Sequence, residues 1–173
     1  MAALIFFLST ATGFSPSPTA SETEVKAAFL YNFAKFVEWP ANAFTTDTAP
    51  IQVVVFGDED FGAKLKVLMV GQKAHGRTFD VKNISNPQEA KNSHIVFVSG
   101  AENRKTAQIL EATKKSPVLT VGESEAFLDA GGMITLVPEE AQLRFEVNPE
   151  AAQKVKLEIS SQMLRLAKKR SSK

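Results

Sequence analysis

Two glycine-led loops carry residue types that could do chemistry. Gly57-Asp58-Glu59-Asp60-Phe61-Gly62-Ala63-Lys64 follows a β-branched run and has the G-x-x-x-x-G spacing of a phosphate cradle. The lysine falls one residue late, no Ser or Thr follows it, and three carboxylates stand where phosphate oxygens would sit. An acid-rich helix N-terminus fits these residues better. Gly122-Glu123-Ser124-Glu125-Ala126 leads from a strand into a helix, as a nucleophile elbow does. It ends in Ala rather than Gly. Both histidines, His75 and His94, precede the serine, whereas a hydrolase of this kind needs one after it. Ser124 therefore reads as a helix N-cap. Two lone histidines, no cysteine and no H-x-x-x-H spacing make no zinc site. Glu139-Glu140 reads as a turn. Arg144 is always charged and can grip a carboxylate or phosphate with two parallel hydrogen bonds. The alternative for it is a structural ion pair, with Glu123 as a candidate partner. No complete catalytic set is present, so the residues point to a protein without enzymatic activity, cofactor or metal.

The element that must position these groups is Glu22 to Pro40, ETEVKAAFLYNFAKFVEWP. Ser21 with Glu24 forms an S-x-x-E capping box, and Pro40 is expected to stop the helix. Val25, Ala28, Phe29, Phe33, Phe36 and Val37 fall on one side at helical spacing, widened by Leu30 and Ala34. Asn32 sits inside that stripe and would need a partner if buried. Packing accounts for the phenylalanines. It accounts less well for Tyr31, Asn32, Lys35 and Trp39.

Downstream, strands alternate with helices. Ile51–Phe56 reads as a buried strand, Asp58–Met69 as a helix with Phe61, Leu65 and Leu68 inward, and Thr78–Ile84 as an outer strand with alternating polarity. Pro87–Lys91 is a short helix. His94–Ser99 and Val118–Val121 are strands around a helix at Glu102–Thr113, with Ala107, Ile109 and Leu110 inward. Ser124 opens a short helix that Gly131-Gly132 breaks. Met133–Val137 and Leu143–Val147 form a hairpin. Asn148 as N-cap and Pro149 start a last helical stretch. Its stripe is Ala152, Val155, Ile159, Met163 and Leu166, and whether it is one helix or two, with Ser160 capping the second, stays open. The pattern is α/β: one domain with a mostly parallel, Rossmann-like sheet, helices on both faces, and a C-terminal β-hairpin plus helix.

The 173 residues suffice for one domain with a real core; 44% are hydrophobic and 23% charged, as in ordinary globular proteins. A net charge of +1 supplies no field that would favour nucleic acid. Thirteen phenylalanines against one Trp and one Tyr favour core filling over base stacking. The lack of cysteine removes disulfides and thiol chemistry. Residues 1–20 resemble the end of an export signal: an apolar run from Ala2 to Leu8, small residues, then Pro18-Thr19-Ala20 before Ser21, without a basic leader. That divides the chain into a signal remnant or tail at 1–20 and one domain at 21–170.

VKAAFLYNFAKFVEWP resembles the opening signature of the YfiR family. VLTVGESEAFLDAGGMITLV, followed by LRFEVNPEAAQKVKLEISSQMLRLAK, and HIVFVS at 94–99 extend the resemblance from about Glu22 to Lys168. The missing cysteines depart from those family members that use disulfides. The resemblance implies a soluble periplasmic regulator that binds and represses an inner-membrane signalling protein, a diguanylate cyclase or a sensor, and so controls cyclic-di-GMP. It implies an OmpA-like outer-membrane lipoprotein as a competitor, and a homodimer. The polar and aromatic residues inside the shared motifs are the partner- or ligand-binding candidates: Tyr31, Asn32, Lys35, Trp39, Glu123, Arg144 and Asn148. A periplasmic small-molecule-binding module, with Arg144 and Trp39 near its pocket, is the alternative; an α/β enzyme is the third reading.

Overall fold

The capping box forms as the sequence spells it. In the computed structural model, Ser21 Oγ accepts the Glu24 N–H at 3.3 Å while Glu24 Oε2 accepts the Ser21 N–H at 2.7 Å. They start α1 (Glu22–Phe36). The structure describes residues 20–100, 103–140 and 142–169, so the signal-like run at Ala2 to Leu8 lies outside the described residues.

The end of α1 departs from expectation. Its last residue is Phe36, four before Pro40. Val37 turns extended and, with Glu38, forms β1 (Val37–Glu38), paired antiparallel to β8 (Glu158–Ile159). His75 Nε2 lies 3.0 Å from both the Ala34 and Val37 carbonyls. Carbonyls only accept, so this nitrogen carries the proton and serves the orphan acceptors of the helix end. The stop is therefore a tertiary one. The buried face is also rotated from the expected stripe. It centres on Ala27, Leu30, Phe33, Ala34 and Val37, while Ala28 and Asn32 are exposed and Phe29 and Phe36 flank the core half-buried. Asn32 thus needs no buried partner.

Six strands make the sheet: β2 (Ile51–Phe56), β3 (Phe79–Ile84), β4 (Ile95–Val98), β5 (Leu119–Gly122), β6 (Ile134–Glu139) and β7 (Gln142–Val147). Their order is β3-β2-β4-β5-β6-β7, parallel from β3 through β6, with β7 turning back antiparallel. The alternating polarity of β3 is explained by its place on the edge. Chain order reverses between β2 and β4, so connections pass on both faces.

Both faces are dry. On one, Ile51, Val53, Val55, Ile95, Phe97, Leu119 and Val121 pack under α1, under α2 (Glu59–Leu68), and under α5 (Pro149–Lys154) and α6 (Ser161–Leu166). On the other, Val54, Phe56, Val96 and Val98 meet α3 (Asn103–Thr113) through Ile109 and Leu110, and α4 (Glu125–Asp129) through Phe127. Ala107, expected inward, is exposed, and Thr106 is buried in its stead. In α2 the inward line is Phe61, Leu65 and Met69, which leaves Leu68 at the surface. The C-terminal stretch is two helices. Lys156 takes a positive φ of 62° between them, and Ser160 caps the second by accepting from Met163 N–H at 3.2 Å. Leu166, the last residue of the expected stripe, is exposed.

Candidate functional site

The loop at Gly57 holds no phosphate cradle. Asp58 Oδ1 accepts the Phe61 N–H at 2.8 Å and caps α2, as an acid-rich helix start should. Lys64 points its helix face outward and is exposed. At the second loop, Gly122 is explained by packing. A Cβ there would stand 2.4 Å from the Phe127 ring, and one on Gly132 would stand 2.2 Å from it. The two glycines form the slot that seats this buried ring. Ser124 occupies the N-cap position, but its side chain makes no capping hydrogen bond. Its carbonyl accepts from Thr135 Oγ1 at 2.9 Å. His94 immediately precedes β4 and Ser124 follows β5, so they stand at opposite ends of parallel strands, roughly 13 Å apart for four strand residues.

The seven candidates fall in separate places. Tyr31, Asn32 and Lys35 ride the outer side of α1, with Lys35 Nζ 5.4 Å from the Tyr31 ring centre and Tyr31 Oη donating to the Lys73 carbonyl at 3.3 Å. Glu123 sits past the C-terminal end of β5. Its carboxylate takes Lys26 Nζ at 2.5 Å and the Gly100 N–H at 3.1 Å. Burial alone would pull the Lys26 ammonium down, but hydrogen bonds and charge from Glu123 and Glu22 outweigh it and hold its pKa above the ordinary value. Lys26 was the residue that sequence reasoning missed. Nothing local marks it; only the fold carries α1 across the end of β5. Arg144 does not pair with Glu123. It is exposed on the edge strand β7, opposite Val137, and makes no ion pair among the described residues. Asn148 caps α5 by accepting from Ala151 N–H at 3.2 Å, as its position predicts.

Trp39 belongs to a clasp at the N-terminal edge of the sheet. Its Nε1 donates to the His94 carbonyl at 3.3 Å, and its ring meets Phe44 and His94 edge-on. Phe44 stacks on His94 with centroids 4.3 Å apart, and the Arg77 guanidinium lies 3.7 Å over Phe44. Arg77 Nη1 donates to the Thr46 and Ala49 carbonyls. His94 Nδ1 accepts the Gln52 N–H at 2.9 Å, so Nε2 carries the proton and donates to Ala43 O at 3.0 Å. Desolvation chiefly, with the Arg77 charge adding to it, lowers the His94 pKa against the opposing bond to Ala43. Beside this clasp, a cleft of about 500 Å³ is lined by Trp39, Pro40, Lys156 and the paired strands that carry Glu38 and Glu158. Arg144 is not part of its lining.

The α1–α2 surface differs. Val67 is 71% exposed, Leu68 39% and Val70 76%. Two adjoining hollows, about 540 and 260 Å³, run between the helices and share Glu24 and Leu68. Three arrangements thus stand out: an ion-paired sheet end, an aromatic clasp with its cleft, and an apolar groove. Among the described residues no three His, Cys, Asp or Glu side chains gather as a metal site would require.

A family model described as YfiR/HmsC-like matches residues 23–168. The chain belongs to this family. No curated relative matches by sequence. Among solved structures, this YfiR/HmsC-like chain resembles a conserved domain protein from Vibrio cholerae O1 biovar El Tor, at TM-score 0.50 and 12% identity, over 68% of this chain and 53% of the other. The chain thus spans about half the length of that relative, and the likeness is one of fold alone. No helix among the described residues is long and apolar enough to cross a membrane.

Proposed function

We propose that this YfiR/HmsC-like protein is a non-enzymatic periplasmic regulator. It binds an inner-membrane signalling protein, a diguanylate cyclase, and holds it inactive by favouring its inactive conformation. Sequestration by an OmpA-like outer-membrane lipoprotein would release the cyclase, and the regulator works as a homodimer. The observation that carries this reading is the family match across residues 23–168. The commitment of both histidines to backbone braces agrees with it, since a proton-transfer catalyst needs an imidazole free to face substrate. The test is deletion of the gene with cyclic-di-GMP measured, then complementation, alongside capture of the exported protein on membrane extract. Cyclic-di-GMP should rise on deletion and return on complementation, with a cyclase or sensor co-purifying. Unchanged cyclic-di-GMP and no captured sensor would remove the reading.

A small-molecule module is the second reading, favoured by the cleft beside Trp39. Trp39 is the sole tryptophan, so tryptophan fluorescence excited at wavelengths that tyrosine does not absorb reports on its surroundings, the cleft among them. A saturable change with a nucleotide, amino acid or aromatic acid would support it, and a flat response across these classes would dismiss it.

A further inference from the structure

The face formed by α1 and α2 carries an apolar groove. Of the large apolar side chains that stand exposed among the described residues, Val67, Leu68 and Val70 fall in one four-residue stretch. Val67 and Leu68 line a groove whose floor is Ala27, Ala28 and Met69 and whose walls include Ala63 and Tyr31. From Glu24 to Tyr31 the groove follows α1 for about 10 Å, two turns of a docked helix. Its rim carries two cations. Lys64 lines the groove beside Val67, and Lys35 stands at the other end with its ammonium 5.4 Å from the Tyr31 ring centre. Neither lysine makes an ion pair among the described residues. The one acid in the lining is Glu24, whose Oε2 is already taken by the Ser21 N–H at 2.7 Å and the Ser21 hydroxyl at 2.9 Å. An apolar floor whose rim carries two lysines against one carboxylate is complementary to an apolar occupant with acidic flanks.

The geometry points to the α1–α2 groove as the docking site for an amphipathic helix of a partner protein, with its apolar stripe flanked by Asp or Glu. The apolar stripe covers Leu68 and Val67, and the flanking carboxylates meet Lys64 at one end and Lys35 at the other. This rests on the regulator reading and names the surface through which regulation passes.

The probe is a labelled synthetic helix with a leucine stripe and a glutamate rim, titrated into the full chain by fluorescence anisotropy. A lysine-rim version and a scrambled version serve as controls. The glutamate-rim helix should bind, and its dissociation constant should rise at least tenfold for Val67→Glu and severalfold for Lys64→Glu, with circular dichroism unchanged. The lysine-rim helix should bind no better than the scramble. Equal binding of both rims, or binding indifferent to Val67→Glu, overturns the proposal. So does a wild-type dimer that Val67→Glu turns monomeric without any peptide binding, which would assign the groove to a second copy. Uptake on anionic vesicles that needs Val67, with no peptide binding, would assign it to a membrane. In cells, a Val67→Glu protein that represses as well as wild type, where deletion derepresses, sinks the groove and leaves the regulator standing. If deletion changes nothing, the regulator reading falls while the peptide titration still decides the groove.

Discussion

The clasp around His94 and the face between α1 and α2 lie on one domain and follow opposite rules. In the clasp each polar group has a partner inside the molecule. His94 spends both ring nitrogens on Gln52 and Ala43, Trp39 spends its indole N–H on the His94 carbonyl, and Arg77 binds two carbonyls of the loop it covers. On the α1–α2 face, apolar side chains are exposed, and Lys35 and Lys64 make no ion pair among the described residues. A cluster whose imidazole and indole N–H are already spent offers a ligand ring faces and the cleft beside it rather than free polar groups. An unsaturated surface offers its side chains directly, though its Val, Leu and Lys carry no chemical signature. In a protein that works by contact, site and scaffold can therefore look reversed when judged by side-chain chemistry.

The sharpest way to break this contrast is His94→Ala. It strands a backbone N–H and a carbonyl and removes a stacked ring, so unfolding should cost about 3 kcal/mol less, read as a lower urea midpoint at unchanged slope. A change near zero would mean that the clasp is not scaffold. The same residue sets a pH dependence. Its folded pKa is depressed below 6.5, so below that pH the unfolded chain binds a proton that the folded chain resists. Stability should be fully present above pH 6.5 and fall as pH drops below it, and the His94→Ala variant should lose that slope. The charged groups facing the ring are chiefly Arg77, which reinforces the effect.

Lys26→Met comes next. The carboxylate of Glu123 would keep the Gly100 N–H but lose its cation at a site where both side chains are under 20% exposed, 16% and 17%. The expected loss is about 2 kcal/mol, as for a hydrogen bond to a charged group. The raised pKa of Lys26 puts this contribution at full strength below pH 10.5, with loss only in stronger alkali. Ser21→Ala is smaller. Losing the capping box at the exposed start of α1 should cost about 1 kcal/mol, seen as a modest drop in thermal midpoint.

Legibility in the sequence tracked how local each cause is. The capping box, the acid-rich start of α2, the Asn148 cap, the buried run of β2 and the alternation of β3 are written within a few residues, and each was readable. The end of α1 was not, because it depends on His75, some forty positions away, and on pairing with β8. Phe29 and Phe36 drew the expected stripe toward Ala28 and away from Ala27, since hydrophobicity ranks Phe above Ala while close packing against the sheet selects by shape. For the candidate sites, Trp39 and Tyr31 were visible as odd residues in a helical run. The Lys26–Glu123 pair and the Val67–Leu68–Val70 surface were not, since both exist only once α1 is laid over β5 and α2. Arg144 was singled out for its chemistry alone, and the fold leaves it on an edge strand.

The smallest effect on stability is expected where the effect on binding should be largest. Val67 is 71% exposed, so Val67→Glu removes almost no buried contact and should shift the unfolding free energy by less than about 0.5 kcal/mol. Placing a carboxylate beside Lys64 could even stabilise the isolated protein slightly. Thermal melts of wild type and variant should therefore superimpose. A loss of 2 kcal/mol or more would mean that Val67 packs against something in the free protein, and the α1–α2 face would then belong with the clasp, as one more part of the scaffold.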